Sequence, residues 1–286
     1  MFDVNGERVA LVTDTSCDLS EEQLRAWDIR TIPLRISTSM GEFRDRVEIQ
    51  PAELYEIMKT ELPKTSLPLP GDVSALYRAL MAEGCTRILH ISISSGLSGT
   101  YNMARMVAED FQGFPIDVVD SQTLSCGLGL LVLTAARMLD SGASVEETIA
   151  EVKGKRTGQL GTFVIRTLEY LRKGGRIGLV EGVVGSLLQI KPVIFVNDDG
   201  VYQTLAKARG FTNALRAMSD EFFRRYAGRK VDLAIVHGNA AEDAGKLLFE
   251  FENHLDVVRS FISPVSPALA IHTGAGLLGA IVQPAE

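Results

Sequence analysis

A chain of 286 residues, 46% hydrophobic and 23% charged, can bury an ordinary globular core as one large domain or two of common size. Its net charge of −7 excludes broad contact with nucleic acid, which needs a basic face to neutralise phosphate. Three widely spaced cysteines, Cys17, Cys85 and Cys126, with no CxxC pair, read as small buried hydrophobes of a reducing compartment.

The N-terminus carries acidic residues and no basic-then-apolar signal pattern. Strand-like runs follow at 9–12, 31–36, 88–93 and 116–119, separated by helical patterns at 20–27, 51–61, 73–83, 100–111 and 128–139. Pro51 and Asp72 stand where helices start. Such alternation predicts a parallel sheet covered on both faces. The 128–139 helix, LGLLVLTAARML, is apolar on nearly every side, so it is buried or lines an apolar cavity. The apolar run at 127–136 falls well short of the ~20 residues that span a bilayer, and a soluble cytoplasmic protein is expected.

After an amphipathic helix ending at Gly158 the texture changes. Strand-like pieces occur at 161–165, 192–196, 201–208, 232–237, 257–262, 269–272 and 280–282, interrupted by helices near 212–226 and 241–254. The NDDG turn at 197–200 joins two of these pieces as a hairpin. The expected fold is an α/β domain with a parallel sheet over 1–157, then an α+β domain with an antiparallel sheet over 158–286.

Three segments carry the chemistry: KTSLPLPGD at 64–72, SSGLSGTY at 94–101 and LRKGGRIG at 171–178. Hydroxyls, backbone N–H groups and an arginine suit a single anionic head group and point to binding more than to catalysis. The 96–100 segment, GLSGT, is a near miss to a GxSxG nucleophile elbow, with Thr100 in place of the last glycine. An esterase would take Ser98 as nucleophile and His272 as base, with Asp232 to orient it. Ser98 and Thr100 also read as helix caps, and the favoured reading is anion binding at a helix N-terminus. Arg172 and Lys173 complement a helix dipole, whereas Arg176 lies beyond the glycine stop. Arg209 reads equally as a solvated surface residue. His90, His237 and His254 lack metal spacing, and Asp14 and Ser16 sit after the first strand, where they bind a ligand or shape the turn. The GxGxxG match at 274–279 leaves too little chain for a dinucleotide site and reads as a bend admitting close backbone approach.

Taken together, VTDTSCDLS (12–20), IPLRI (32–36), KTSLPLPGD, SSGLSGTYNMA, DSQTLSCGLG (120–129), LEYLRKGGRIG (168–178), LLQIKPVI (187–194) and AIHTGAG (270–276) are similar to the DegV family, the fatty-acid-binding subunits of bacterial fatty acid kinase. The resemblance implies a long-chain, palmitate-like fatty acid enclosed in a tunnel between the two domains, with no other cofactor. It implies that Ser66 and Ser98 hydrogen-bond the carboxylate, with Thr65, Arg176 and His272 in the surrounding network. Arg209 matches a residue that works with an ATP-dependent kinase partner. Leu67 departs from the family, which often has glutamine there. The chain has no GxxxxGK[ST] loop, so phosphoryl transfer to an acyl-phosphate for phospholipid synthesis is expected from that partner. An esterase or thioesterase, and a binder of another small acid, remain the rival readings.

Overall fold

Strand β2 (Glu7–Asp14) is buried from Val9 onward and organises the N-terminal half. It pairs in parallel with β3 (Arg30–Ile32) and β7 (Arg87–Ser92), and β7 pairs in parallel with β8 (Ile116–Asp120). The short β1 (Phe2–Val4) runs antiparallel along the start of β2. The structure, a computed structural model, describes residues 1–178, 180 and 189–285, so positions 187 and 188 of the 187–194 segment lie outside the described residues.

Side-chain alternation along β2 sends Ala10 and Val12 to one core and Val9 and Leu11 to another. The first core is closed by Val73, Tyr77 and Leu80 of α3 (Pro70–Ala82) and by Met103 and Val107 of α4 (Thr100–Glu109). The second is closed by α5 (Cys126–Asp140). Both faces are therefore covered, which is why the strands read as nearly continuous apolar runs. Capping boxes begin α1 (Glu21–Ala26), with Ser20 and Gln23, and α6 (Val145–Gly158), with Ser144 and Glu147. α2 (Pro51–Ile57) starts on Pro51 and is four residues shorter than expected.

The run at 31–36 is two strands. Pro33 lies between β3 and β4 (Arg35–Thr38), and proline cannot donate to a ladder. β4 instead enters a separate antiparallel sheet, ordered β5-β4-β6, with β5 (Gly41–Arg44) and β6 (Lys64–Ser66). The 64–72 segment thus opens as a strand and closes as the first turn of α3. That helix begins at Pro70, so Asp72 lies inside its first turn and is not its cap.

The C-terminal sheet has six strands, β9 (Leu160–Val164), β10 (Ile190–Val196), β11 (Tyr202–Arg209), β12 (Lys230–His237), β13 (Asp256–Pro264) and β14 (Leu278–Pro284). Their order is β11-β10-β9-β14-β12-β13, antiparallel except for β12 with β13. One face is covered by α8 (Phe211–Arg225) and α9 (Ala241–His254), which bury Phe222 and Phe251 against Leu233 and Ile235. α5 packs against the other face, so it is enclosed between the two sheets. A string of amides crosses this buried layer, with Gln159 Nε2 donating to Gln283 Oε1 at 3.2 Å and Gln283 Nε2 to Thr134 Oγ1 at 3.1 Å.

The strand expected at 269–272 is helix α10 (Pro267–Thr273), which begins with proline at its first position. A run of four apolar or half-buried residues does not separate strand from helix by periodicity. The 197–200 turn is a hairpin, as expected. Asn197 Oδ1 accepts from the amides of Asp199 and Val201, and Gly200 has φ +74°. The turn docks on the N-terminal half, where Ser94 Oγ donates to the Gly200 carbonyl at 2.7 Å. A Cβ on Gly96 would fall 2.7 Å from Val201, so that docking requires glycine.

Candidate functional site

A cavity of about 240 Å³ lies where the two halves meet, and Thr65, Ser66, Ser98, Arg176 and His272 all line it. Five residues spread over more than two hundred positions are thus brought to one chamber. Thr65 and Ser66 arrive on β6, opposite Ile36 and Arg35 of β4. Thr65 Oγ1 and His272 Nε2 are hydrogen-bonded at 2.9 Å, joining the halves across the chamber. Burial, with the positive charge of Arg176 nearby, pushes the His272 imidazole down to about 4. It is neutral at pH 7 and hydrogen-bonds without adding charge.

Two glycines explain α7 (Glu169–Lys173) and its KGGR ending. A Cβ on Gly174 would fall 2.2 Å from His272 Nδ1, so the ring packs where only glycine leaves room. Gly175 has φ +69° and reverses the chain, leaving Arg176 exposed at the chamber with Nη1 on the Gly174 carbonyl at 2.6 Å.

Ser98 stands just before α4, whose Gly99 cap offers no side chain. Its Oγ pairs with Thr100 Oγ1 at 2.8 Å and accepts the Thr100 amide at 3.3 Å. The cap position is Gly99, so neither Ser98 nor Thr100 is the expected cap; Ser98 instead accepts the first helical amide from one residue earlier, in a position that also faces the chamber. A hydroxyl at a helix N-terminus, with a neutral imidazole, a threonine and a guanidinium across the cavity, offers donors and positive potential to one carboxylate. Asp14 shapes this loop from behind. It is fully buried and accepts from Ile93 N at 2.8 Å, Ser92 Oγ at 3.1 Å and Ser16 N at 3.1 Å, and burial raises its pKa.

Two further carboxylates went unnoticed in the sequence. Asp18 accepts from Ser266 N at 2.8 Å and Asp45 from Ala268 N at 3.1 Å, which fastens the start of α10 to the N-terminal half. Burial pushes them up to about 6 and about 7. Asp18 lies in the 12–20 segment and Asp45 in none of those singled out, and no local signal marks either carboxylate as buried.

Beyond the polar chamber lies a second, apolar cavity of about 40 Å³, walled by Phe163, Val196, Val236, Leu277 and Ile281. Leu124, Tyr202 and Leu269 line both cavities, so the two adjoin across these three side chains. The 128–139 helix lines neither. Burial between two sheets, not a lipid tail, accounts for its composition.

Arg209 is elsewhere. It ends β11, exposed, with Nε on Gln189 Oε1 at 2.7 Å. Tyr202 begins the same strand, about 23 Å away at roughly 3.3 Å per residue. Asp232 does not orient His272. It is bound to Arg259 at 2.7 and 2.9 Å, and among the described residues no carboxylate hydrogen-bonds to His272. The 274–279 glycines follow α10, with Gly274 and Gly276 at φ +73° and +82° and the Gly276 amide on the Gly238 carbonyl. A Cβ on Gly279 would meet the Thr162 carbonyl at 2.7 Å, the close backbone approach expected of that bend. Among the described residues no helix is long and apolar enough to cross a membrane, and no cluster of three or more potential ligand residues could hold a metal.

The match to known proteins spans the chain. A family model described as "Uncharacterised protein, DegV family" covers residues 8–285. A DegV domain-containing protein of Clostridium perfringens is 36% identical over 277 residues, 97% of this chain and 99% of its own. Among solved structures, a fatty-acid-binding DegV family protein of Thermus thermophilus is similar at TM-score 0.91 and 32% identity, over 97% of this chain and all 100% of that one. A stearic-acid-binding protein of Eubacterium ventriosum is similar at TM-score 0.86 and 27% identity, over 97% of this chain and 98% of that one. With family model, sequence relatives and fold all agreeing over nearly every residue, this chain belongs to the DegV family.

Proposed function

We propose that this protein binds a long-chain fatty acid and presents its carboxylate to an ATP-dependent kinase subunit. The product is an acyl-phosphate that feeds phospholipid synthesis in the cytoplasm. The carrying observation is the adjoining pair of cavities, polar where Ser66, Ser98, Thr65, Arg176 and His272 converge and apolar on the other side of Tyr202. Each tail methylene buried contributes roughly 0.8 kcal/mol before ordering costs. A carboxylate cannot be buried bare, so the hydroxyls of Ser66 and Ser98 donate to it while Arg176 supplies opposite charge. Thr65 and His272 hold the chamber together across the two halves. Residues 1–157 and 158–286 act as its two walls. Arg209, far from the chamber, serves the kinase encounter.

The relatives support the fatty-acid part of this reading, since proteins of the same fold and similar sequence bind fatty acids. The esterase reading is less favoured, because Ser98 is paired with Thr100 and His272 with Thr65, not with each other. Mass spectrometry of organic extracts from purified protein tests the proposal. A stoichiometric long-chain acid is expected. An empty extract together with no binding of added fatty acid overturns it, and covalent labelling of Ser98 by a fluorophosphonate would revive the esterase.

A further inference from the structure

Ser66 lies on a three-residue strand at the edge of a three-stranded sheet, a position with little intrinsic rigidity. Its partner across the ladder is Arg35, and residues opposite in an antiparallel pair project from one face. The Arg35 side chain is only 13% exposed. One guanidinium nitrogen binds Asp72 in the first turn of α3, and another binds Glu42 Oε1 at 3.2 Å. Arg44, across the ladder on β5, is taken by Glu48 at 2.9 Å and does not compete. One residue thus holds both ends of the segment 66–72, through the ladder at Ser66 and the ion pair at Asp72. Inside it, Pro68 and Pro70 stiffen the chain, and Leu67 lines the chamber.

We infer that Arg35 and Asp72 form a positioning clamp that sets the Ser66 hydroxyl in the head-group chamber and keeps Leu67 over it. Neither residue lines the chamber; both act through the segment they hold. The inference rests on the reading of that chamber as a carboxylate site. Asp72 is 38% exposed, and pairs of such exposure add little to global stability, so breaking the clamp leaves the fold intact.

The test compares a fatty acid with the alcohol of equal chain length in Arg35→Gln, Asp72→Asn and Asp72→Glu, alongside hydrogen–deuterium exchange. Arg35→Gln and Asp72→Asn are expected to bind the acid about tenfold more weakly and the alcohol within about twofold of wild type, since only the acid needs an aligned donor. Exchange over 64–71 should quicken in both, and Asp72→Glu should restore acid binding. Equal losses for acid and alcohol, or unchanged exchange over 64–71, would overturn the clamp. Wild-type protein that prefers the alcohol overturns the carboxylate reading itself. The exchange comparison is made without ligand, so the two failures are told apart.

Discussion

The two cavities share three wall residues yet differ in what else walls them. The head-group chamber is assembled from the ends of elements: the edge strand β6, the turn before α4, the glycine exit of α7 and the last turn of α10. The apolar cavity draws half of its lining from strands, including Phe163 on β9, Val196 at the end of β10, Val236 on β12 and Ile281 on β14. Element ends leave backbone and side-chain donors unpaired, so they can meet a carboxylate. Strand interiors have spent their backbone groups on the ladder and offer only apolar surface. On the proposed reading charge recognition and tail burial are separable, and substitutions should affect one without the other.

The largest separation is expected from Ser66→Ala with Ser98→Ala. Losing two hydrogen bonds to a charged group, at about 1.5–3 kcal/mol each, should weaken acid binding by at least a hundredfold, while alcohol binding by calorimetry changes far less. Equal losses would mean the two cavities do not divide the labour. Leu124→Ala, in the shared wall, should cost about 2–5 kcal/mol of stability in denaturant titration and shift the preferred chain length. Gly174→Ala pushes a methyl group into the His272 ring and should cost about 1–3 kcal/mol, together with acid affinity. Retained acid affinity would show that the His272–Thr65 bond does not shape the chamber.

A pH series sharpens the comparison from the buried side. Asp18 and Asp45 have folded pKa values raised to about 6 and about 7 from 3.8, so the native state holds more protons than the unfolded chain between those values. Their contribution to stability is full below about 4 and is lost as pH rises toward 7. His272, lowered from 6.5 to about 4, acts with the opposite sign over about 4 to 6.5, because its native state holds fewer protons. Comparing Asp45→Asn with wild type isolates one group. The variant's Tm should gain on wild type as pH rises from 4 to 7, and a constant offset would contradict the raised pKa. The smallest effect is expected at Arg209→Ala. Fatty-acid affinity should stay within about twofold, since the residue lies about 23 Å along β11 from Tyr202, while kinase-coupled turnover falls. Normal turnover would remove Arg209 from the partner surface.

Much of the fold was legible because its signals are local. Pro51 and the NDDG turn act within four residues, and the alternation of strand-like and helical runs announced a parallel sheet covered on both faces. Misreadings arose where a neighbour decided. The strand expected at 269–272 became helix α10, whose first turn is held by buried Asp18 and Asp45 from the other half of the chain. The 31–36 run broke at Pro33 because the second piece found partners in β5 and β6.

The same division holds for the site. Hydroxyls and glycines at 64–72, 94–101 and 171–178 stand out in the sequence, the family resemblance implied Thr65, Ser66, Ser98, Arg176 and His272 for the site, and the structure brings all five to one chamber. The sequence could not distinguish cavity-lining residues from core, since Val236 facing a cavity and Leu233 packed under α9 obey the same apolar rule on one strand. Nor could it separate a greasy helix buried between sheets from one lining a tunnel. Only the tertiary structure decides where packing leaves a gap, because a cavity belongs to the contacts among distant segments and not to any one of them.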